Sequence, residues 1–159
     1  MELNEIVPGS EGGMQVDEGV NSRLTLGGLL NNYTKLYDST VGGTIIRSEA
    51  SEDKDKTAKT FKAMVRSATG GVHPVTIKLG RDRNGAYTLA SPCKVDCNCP
   101  TYVFRNNELL YRMGASLYTR FTKKPPKTGR KANPENIVTC CKHIYNYISF
   151  LLRRGDMHR

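Results

Sequence analysis

The sequence predicts an α+β fold, a small antiparallel β-meander followed by a C-terminal helix, with the two parts held together by metal-ligating side chains. Three observations predict it. Apolar and polar residues alternate along much of residues 60–96, with turn residues between the runs. Ile144, Tyr147, Ile148, Leu151 and Leu152 recur at helical spacing. Between these two patterns lie Cys97-Asn98-Cys99, which ends the alternating region, and Cys141-Lys142-His143, which opens the helix.

Residues 1–22 hold five acids (Glu2, Glu5, Glu11, Asp17, Glu18) and no Lys or Arg. Pro8-Gly9-Ser10-Glu11-Gly12-Gly13 does not sustain a helix or strand, so this stretch reads as an acidic, glycine-rich tail. Residues 23–159 read as a single domain. Its first element is a helix over 24–38, where Leu26, Leu29, Leu30, Tyr33, Leu36 and Tyr37 follow a 3.6-residue period. Gly27 and Gly28 weaken its first turn. Residues 47–59 are charged and mixed, the pattern of a solvated loop or short helix.

Three strands follow, at about 60–68, 73–80 and 86–96. Phe61, Ala63 and Val65 alternate with Lys62, Met64 and Arg66, and Gly70-Gly71 makes a turn. Val75, Ile77 and Leu79 alternate with Thr76 and Lys78. Asp82-Arg83-Asn84-Gly85 is a hairpin signal. Tyr87, Leu89 and Val95 carry the pattern to the cysteines. Pro74 belongs at a strand start or on an edge, because it donates no ladder hydrogen bond.

The insert over 100–140 begins with apolar anchors such as Tyr102, Val103, Leu109, Leu110 and Leu117, suited to a short helix. It then turns basic and proline-rich. Residues 118–131 contain six cations, Arg120, Lys123, Lys124, Lys127, Arg130 and Lys131, beside Tyr118 and Phe121. Such a segment suits a surface loop. Cations neutralise phosphates and aromatics stack on bases; equally, the aromatics anchor the loop to the core and the charges are solvated. The last helix, about 140–153, ends with Arg153 and Arg154, where positive charge is favoured, and with Gly155 as its C′ residue.

The cysteine pattern carries the chemistry. C-x-C and C-x-H are separated by 41 residues and offer three thiolates and one imidazole, a donor set that suits Zn2+. Each half is a two-point chelate, so a metal held by Cys97, Cys99, Cys141 and His143 staples two distant segments. A fully ligated centre leaves no position for water or substrate and is structural. The intervening loop is a small obstacle, since doubling a loop adds only ~0.6 kcal/mol of closure entropy. Cys140 and Cys141 are adjacent, and the C-x-H spacing favours Cys141. Cys93 is either a spare ligand or a core residue. The alternative to metal binding is five reduced structural cysteines and a histidine capping the helix.

Val95 to Pro100 and Cys141 to Leu152 resemble the SWIM zinc finger, in which a strand runs into C-x-C and C-x-H opens a helix. The resemblance covers a core of about 86–153 with a long insert. It implies that Cys97, Cys99, Cys141 and His143 bind zinc and that the module binds DNA or other proteins. The insert length, the Asn133-Pro134 before Cys141-Lys142-His143 and the strand-rich leader resemble SWIM-type proteins encoded by tailed bacteriophages. That implies a virion or assembly component, in the virion or the host cytoplasm.

The chain has 159 residues and a net charge of +9, and the acidic tail makes the remainder more basic than this total. Such a body suits nucleic acid, DNA or RNA, or another polyanionic surface, though charge also serves solubility. No stretch approaches the ~18 apolar residues of a membrane span. The acidic start is unlike a signal peptide, so an intracellular, non-secreted protein with reduced cysteines is expected. No P-loop is present, and Cys141 and His143 at i and i+2 make a poor catalytic pair. The expectation is a non-enzymatic binding protein without a small-molecule substrate, its tail 1–22 and insert 100–140 meeting other protein chains.

Overall fold

The computed structural model describes residues 14–15, 20, 22–37, 43–119 and 137–159. Its centre is a four-stranded antiparallel sheet. Thr44–Glu52 (β2), Ala58–Arg66 (β3), Val72–Gly80 (β4) and Cys93–Cys97 (β5) lie side by side in chain order. Met14–Gln15 (β1) and Tyr118–Thr119 (β6) form a separate two-stranded ribbon. The helices are Leu26–Leu36 (α1), Asn107–Arg112 (α2) and Lys142–Arg154 (α3), with a π-helical turn at Tyr102–Asn106. Among the described residues no helix is long and apolar enough to cross a membrane.

The sheet has one strand more than the sequence pattern predicts. β2 occupies much of the stretch read as a loop or short helix. It lies at the sheet edge and is mostly exposed, so burial imposes no apolar alternation on it. The third predicted strand also starts later, at Cys93 instead of about 86. Residues 86–92 instead serve the start of α1: Leu26 N–H donates to Ser91 C=O at 3.0 Å and Gly27 N–H to Leu89 C=O at 2.8 Å. A Cβ on Gly27 would stand 3.1 Å from that carbonyl oxygen, tighter than an ordinary contact, so the close approach favours glycine.

α1, β3 and α3 follow the pattern. Thr25 caps α1 by accepting from Gly28 N–H, and Leu26, Leu29 and Tyr33 are its buried face. Pro74 is not at the strand start as predicted: it is the third residue of β4, opposite Met64 of β3, and lies just outside the Val75–Leu79 stretch that pairs with β5, where its missing N–H costs no bond to β5. α3 buries Ile144, Tyr147, Ile148 and Leu151 against β3, β4 and β5. There they meet the inner sheet face: Phe61, Ala63 and Val65, then Val75, Ile77 and Leu79, then Cys93, Val95 and Cys97. Fully burying one such large apolar side chain stabilises the fold by about 1.5–3 kcal/mol. The Tyr147 hydroxyl ties helix to sheet, 2.8 Å from Ser48 Oγ and 3.1 Å from the Lys62 carbonyl. α3 ends at Gly155, φ 76°, where Gly155 N–H bonds Leu152 C=O and Asp156 N–H bonds Leu151 C=O.

Candidate metal centre

β5 is the most buried strand because it is covered from three directions. β4 pairs with one edge, and the segment after α2 runs along the other: Val95 N–H bonds Ala115 C=O at 2.9 Å and Leu117 N–H bonds Val95 C=O at 3.1 Å. Its inner face lies in the core. The chain leaves β5 at Cys97, turns through Asn98 to Cys99, and enters the π-helical turn. α3 arrives from the other side, with Cys141 extended (φ −83°, ψ 168°) and His143 in the first turn.

This brings Cys97, Cys99, Cys141 and His143 together. One ligand atom from each lies within 4.8 Å of all the others, and all four residues are buried. Cys97 Sγ stands 4.0 Å from His143 Nδ1. A tetrahedral centre with bonds of ~2.3 Å to sulfur and ~2.0 Å to nitrogen sets its ligand atoms roughly 3.5–3.8 Å apart. The cage is therefore close to the size of a four-coordinate metal site and needs only a small contraction. All five cysteines are free thiols. Cys141 occupies the N-cap of α3 without making a capping hydrogen bond, leaving its sulfur to the cage, and His143 Nε2 is buried without a hydrogen-bond partner among the described residues.

The thiols are not equivalent. Hydrogen bonds from the Cys141 and Cys97 thiols hold Cys99 far below the usual thiol range, with His143 and the Tyr102 N–H adding to the effect. The Cys141 hydrogen bond pulls Cys97 down, but donation to Cys99 and burial outweigh it and leave Cys97 raised. Burial, then donation to Cys97 and Cys99, pushes Cys141 up. Cys99 is thus the acceptor of hydrogen bonds from the Cys97 and Cys141 thiols. Metal uptake must displace a proton from each of those two.

Cys140 points elsewhere. It is fully buried and not one of the converging ligands, which resolves the choice between the adjacent cysteines in favour of Cys141. Cys93 packs in β5, its thiol 3.6 Å from the Leu24 carbonyl and pushed up to about 12 by burial.

The residues supporting the cage escape sequence reading. The His73 ring packs on the His143 ring, centroids 4.6 Å apart, and its Nδ1 lies 2.9 Å from Asn98 Oδ1, between the two C-x-C ligands. Tyr102 N–H points to Cys99 Sγ at 3.4 Å. The Tyr102 hydroxyl donates to Val95 C=O at 3.0 Å, and Asn107 Nδ2 donates to Ser116 Oγ at 2.7 Å and Tyr118 C=O at 2.8 Å. Such neighbours orient ligands. His73 lies far from the cage in sequence, and only the β4–β5 register brings it near. The other predicted binding residues, Arg120, Lys123, Lys124, Lys127, Arg130 and Lys131, lie outside the described residues. No protein-family model, curated protein or solved structure matches this chain.

Proposed function

We propose that this chain is a SWIM-type zinc module without enzymatic activity, whose zinc is structural and whose work is to bind other macromolecules in an assembly. The observation that carries the reading is the convergence of four buried ligands from two distant chelates, one at a strand end and one at a helix start. The donor set is the one structural zinc takes, and four protein ligands fill its coordination. Structural zinc binding is worth on the order of 10 kcal/mol or more, comparable with the ~5–15 kcal/mol net stability of a domain. The phage resemblance supports a virion or assembly role for the tail 1–22 and insert 100–140. Metal analysis of purified protein should return one zinc per chain. Cobalt substitution should give the ligand-field spectrum of a tetrahedral thiolate–imidazole site. Protein that folds fully and binds no stoichiometric metal would end the proposal.

A second reading, contact with nucleic acid through 118–131, is favoured by where that segment begins. Tyr118 helps line a shallow cavity of about 200 Å3 on the outer sheet face, with Thr60, Lys62, Thr76, Lys78 and Leu117. Cations and hydroxyls there suit phosphates. Binding to single-stranded DNA or RNA should weaken steeply with salt and with neutralisation of Lys123 and Lys124. Absence of binding at low salt would remove this reading.

A further inference from the structure

We propose that the outer edge of β2 pairs antiparallel with the same edge of a second copy of this chain, two-fold symmetric about Ser48, joining two four-stranded sheets. The proposal concerns a surface remote from the metal cage and goes beyond the function above.

Among the described residues nothing pairs with this edge. Its backbone groups alternate in direction. Asp53 N–H donates to Ala58 C=O at 2.9 Å, which fixes the hydrogen-bonded positions along the β2–β3 ladder. Arg47, Glu49 and Ser51 therefore direct their N–H and C=O groups into the sheet, while Ser48, Ala50 and Glu52 direct theirs outward. Two edges can pair only where outward groups meet outward groups, which restricts the register to steps of two residues.

Charge then selects one register. With Ser48 opposite Ser48 of the second copy, Arg47 stands opposite Glu49 on both sides of the axis. These are non-hydrogen-bonded positions, where opposed side chains come closest. Shifting the centre by one residue places Glu49 against Glu49 or Arg47 against Arg47. The Ser48-centred register thus gains two attractive pairs, and each of its neighbours suffers a like-charge pair. Arg47 and Glu49 form no ion pair with each other or with any other described residue. Glu49 does stand opposite Lys62 in β3, so pairing places it between two cations. Ile46, 48% exposed, falls opposite Ala50 in this register. The ladder irregularity at Ile45/Arg47 bends the strand there and ends the contact, keeping it short. Like-charge opposition at a strand edge is a natural guard against association; here the charges are self-complementary instead.

The test is sedimentation velocity of the metal-loaded full chain over a range of concentrations. Wild type should self-associate to a dimer. Arg47→Glu places two glutamates opposite one another and Glu49→Arg two arginines, so each variant alone should associate about tenfold or more weakly. The two variants mixed should form a heterodimer, because every opposed pair is again attractive. The double variant R47E/E49R should regain self-association. Both residues are on the surface, and unchanged thermal melts will show that folding is intact. A monomeric wild type at the highest concentration, equal association of wild type and both single variants, or failure of the mixture to associate would each overturn the proposal.

Discussion

Cys140 and Cys141 show how one step along an extended chain decides a thiol's chemistry. Successive side chains on extended backbone point to opposite sides, so Cys141 enters the cage while Cys140 enters the core. Cys140→Ala should retain stoichiometric metal and lose only about 1 kcal/mol of stability, by denaturant titration. Cys141→Ala should lose both the metal and a cooperative melt. A third single-residue case is Tyr147. Burial, partly offset by the hydrogen bond with Ser48, raises its hydroxyl above the usual phenol range. Tyr147→Phe removes two hydrogen bonds linking α3 to β2 and β3, and should destabilise the metal-loaded protein by about 1–3 kcal/mol.

Among the elements, legibility tracked burial. β3, β4 and α3 each turn one face to the core, and that face is visible as alternation or as a helical stripe. β2 has no such face, and its strand character comes from pairing with β3. The π-helical turn and the hydrogen bonds of Tyr102 and Asn107 arise from packing around Cys99, which no local pattern announces. The C-x-C and C-x-H chelates were readable because ligand spacing is itself local. The Asp82–Gly85 turn was readable too, through Gly85 at φ 79° and Asp82, whose carboxylate accepts from the N–H groups of Asn84 and Ala86 and from the Thr88 hydroxyl. The Thr88 bond, then that of Ala86, holds Asp82 below the usual carboxylate range. A depressed folded-state value means that the contribution of Asp82 is present above its unfolded value and fades as pH falls through the folded one. Asp82→Asn should therefore lower stability at neutral pH and flatten its acid limb, measured by thermal melts across pH.

For the whole molecule, metal and protons compete for the same sulfurs. Cys97 and Cys141 are held above the usual thiol range, so occupation of the cage should release protons from them. Apparent affinity should rise with pH by up to about a hundredfold per unit while two protons are displaced. Cobalt titrations at several pH values will show the slope, and a pH-independent affinity would contradict the assignment. Chelation at neutral pH should abolish the cooperative melt, since the cage ties β5 to α3.

The cage also stands at both ends of the long insert, with Cys99 just before it and Cys141 just after. Tension on the segment beyond Thr119 would meet the hydrogen bonds of Ala115 and Leu117 with Val95 at one root and Cys141 at the other. An ion held by Cys99 and Cys141 would join these two roots, and its loss would free one from the other and with it the hold of α3 on β5.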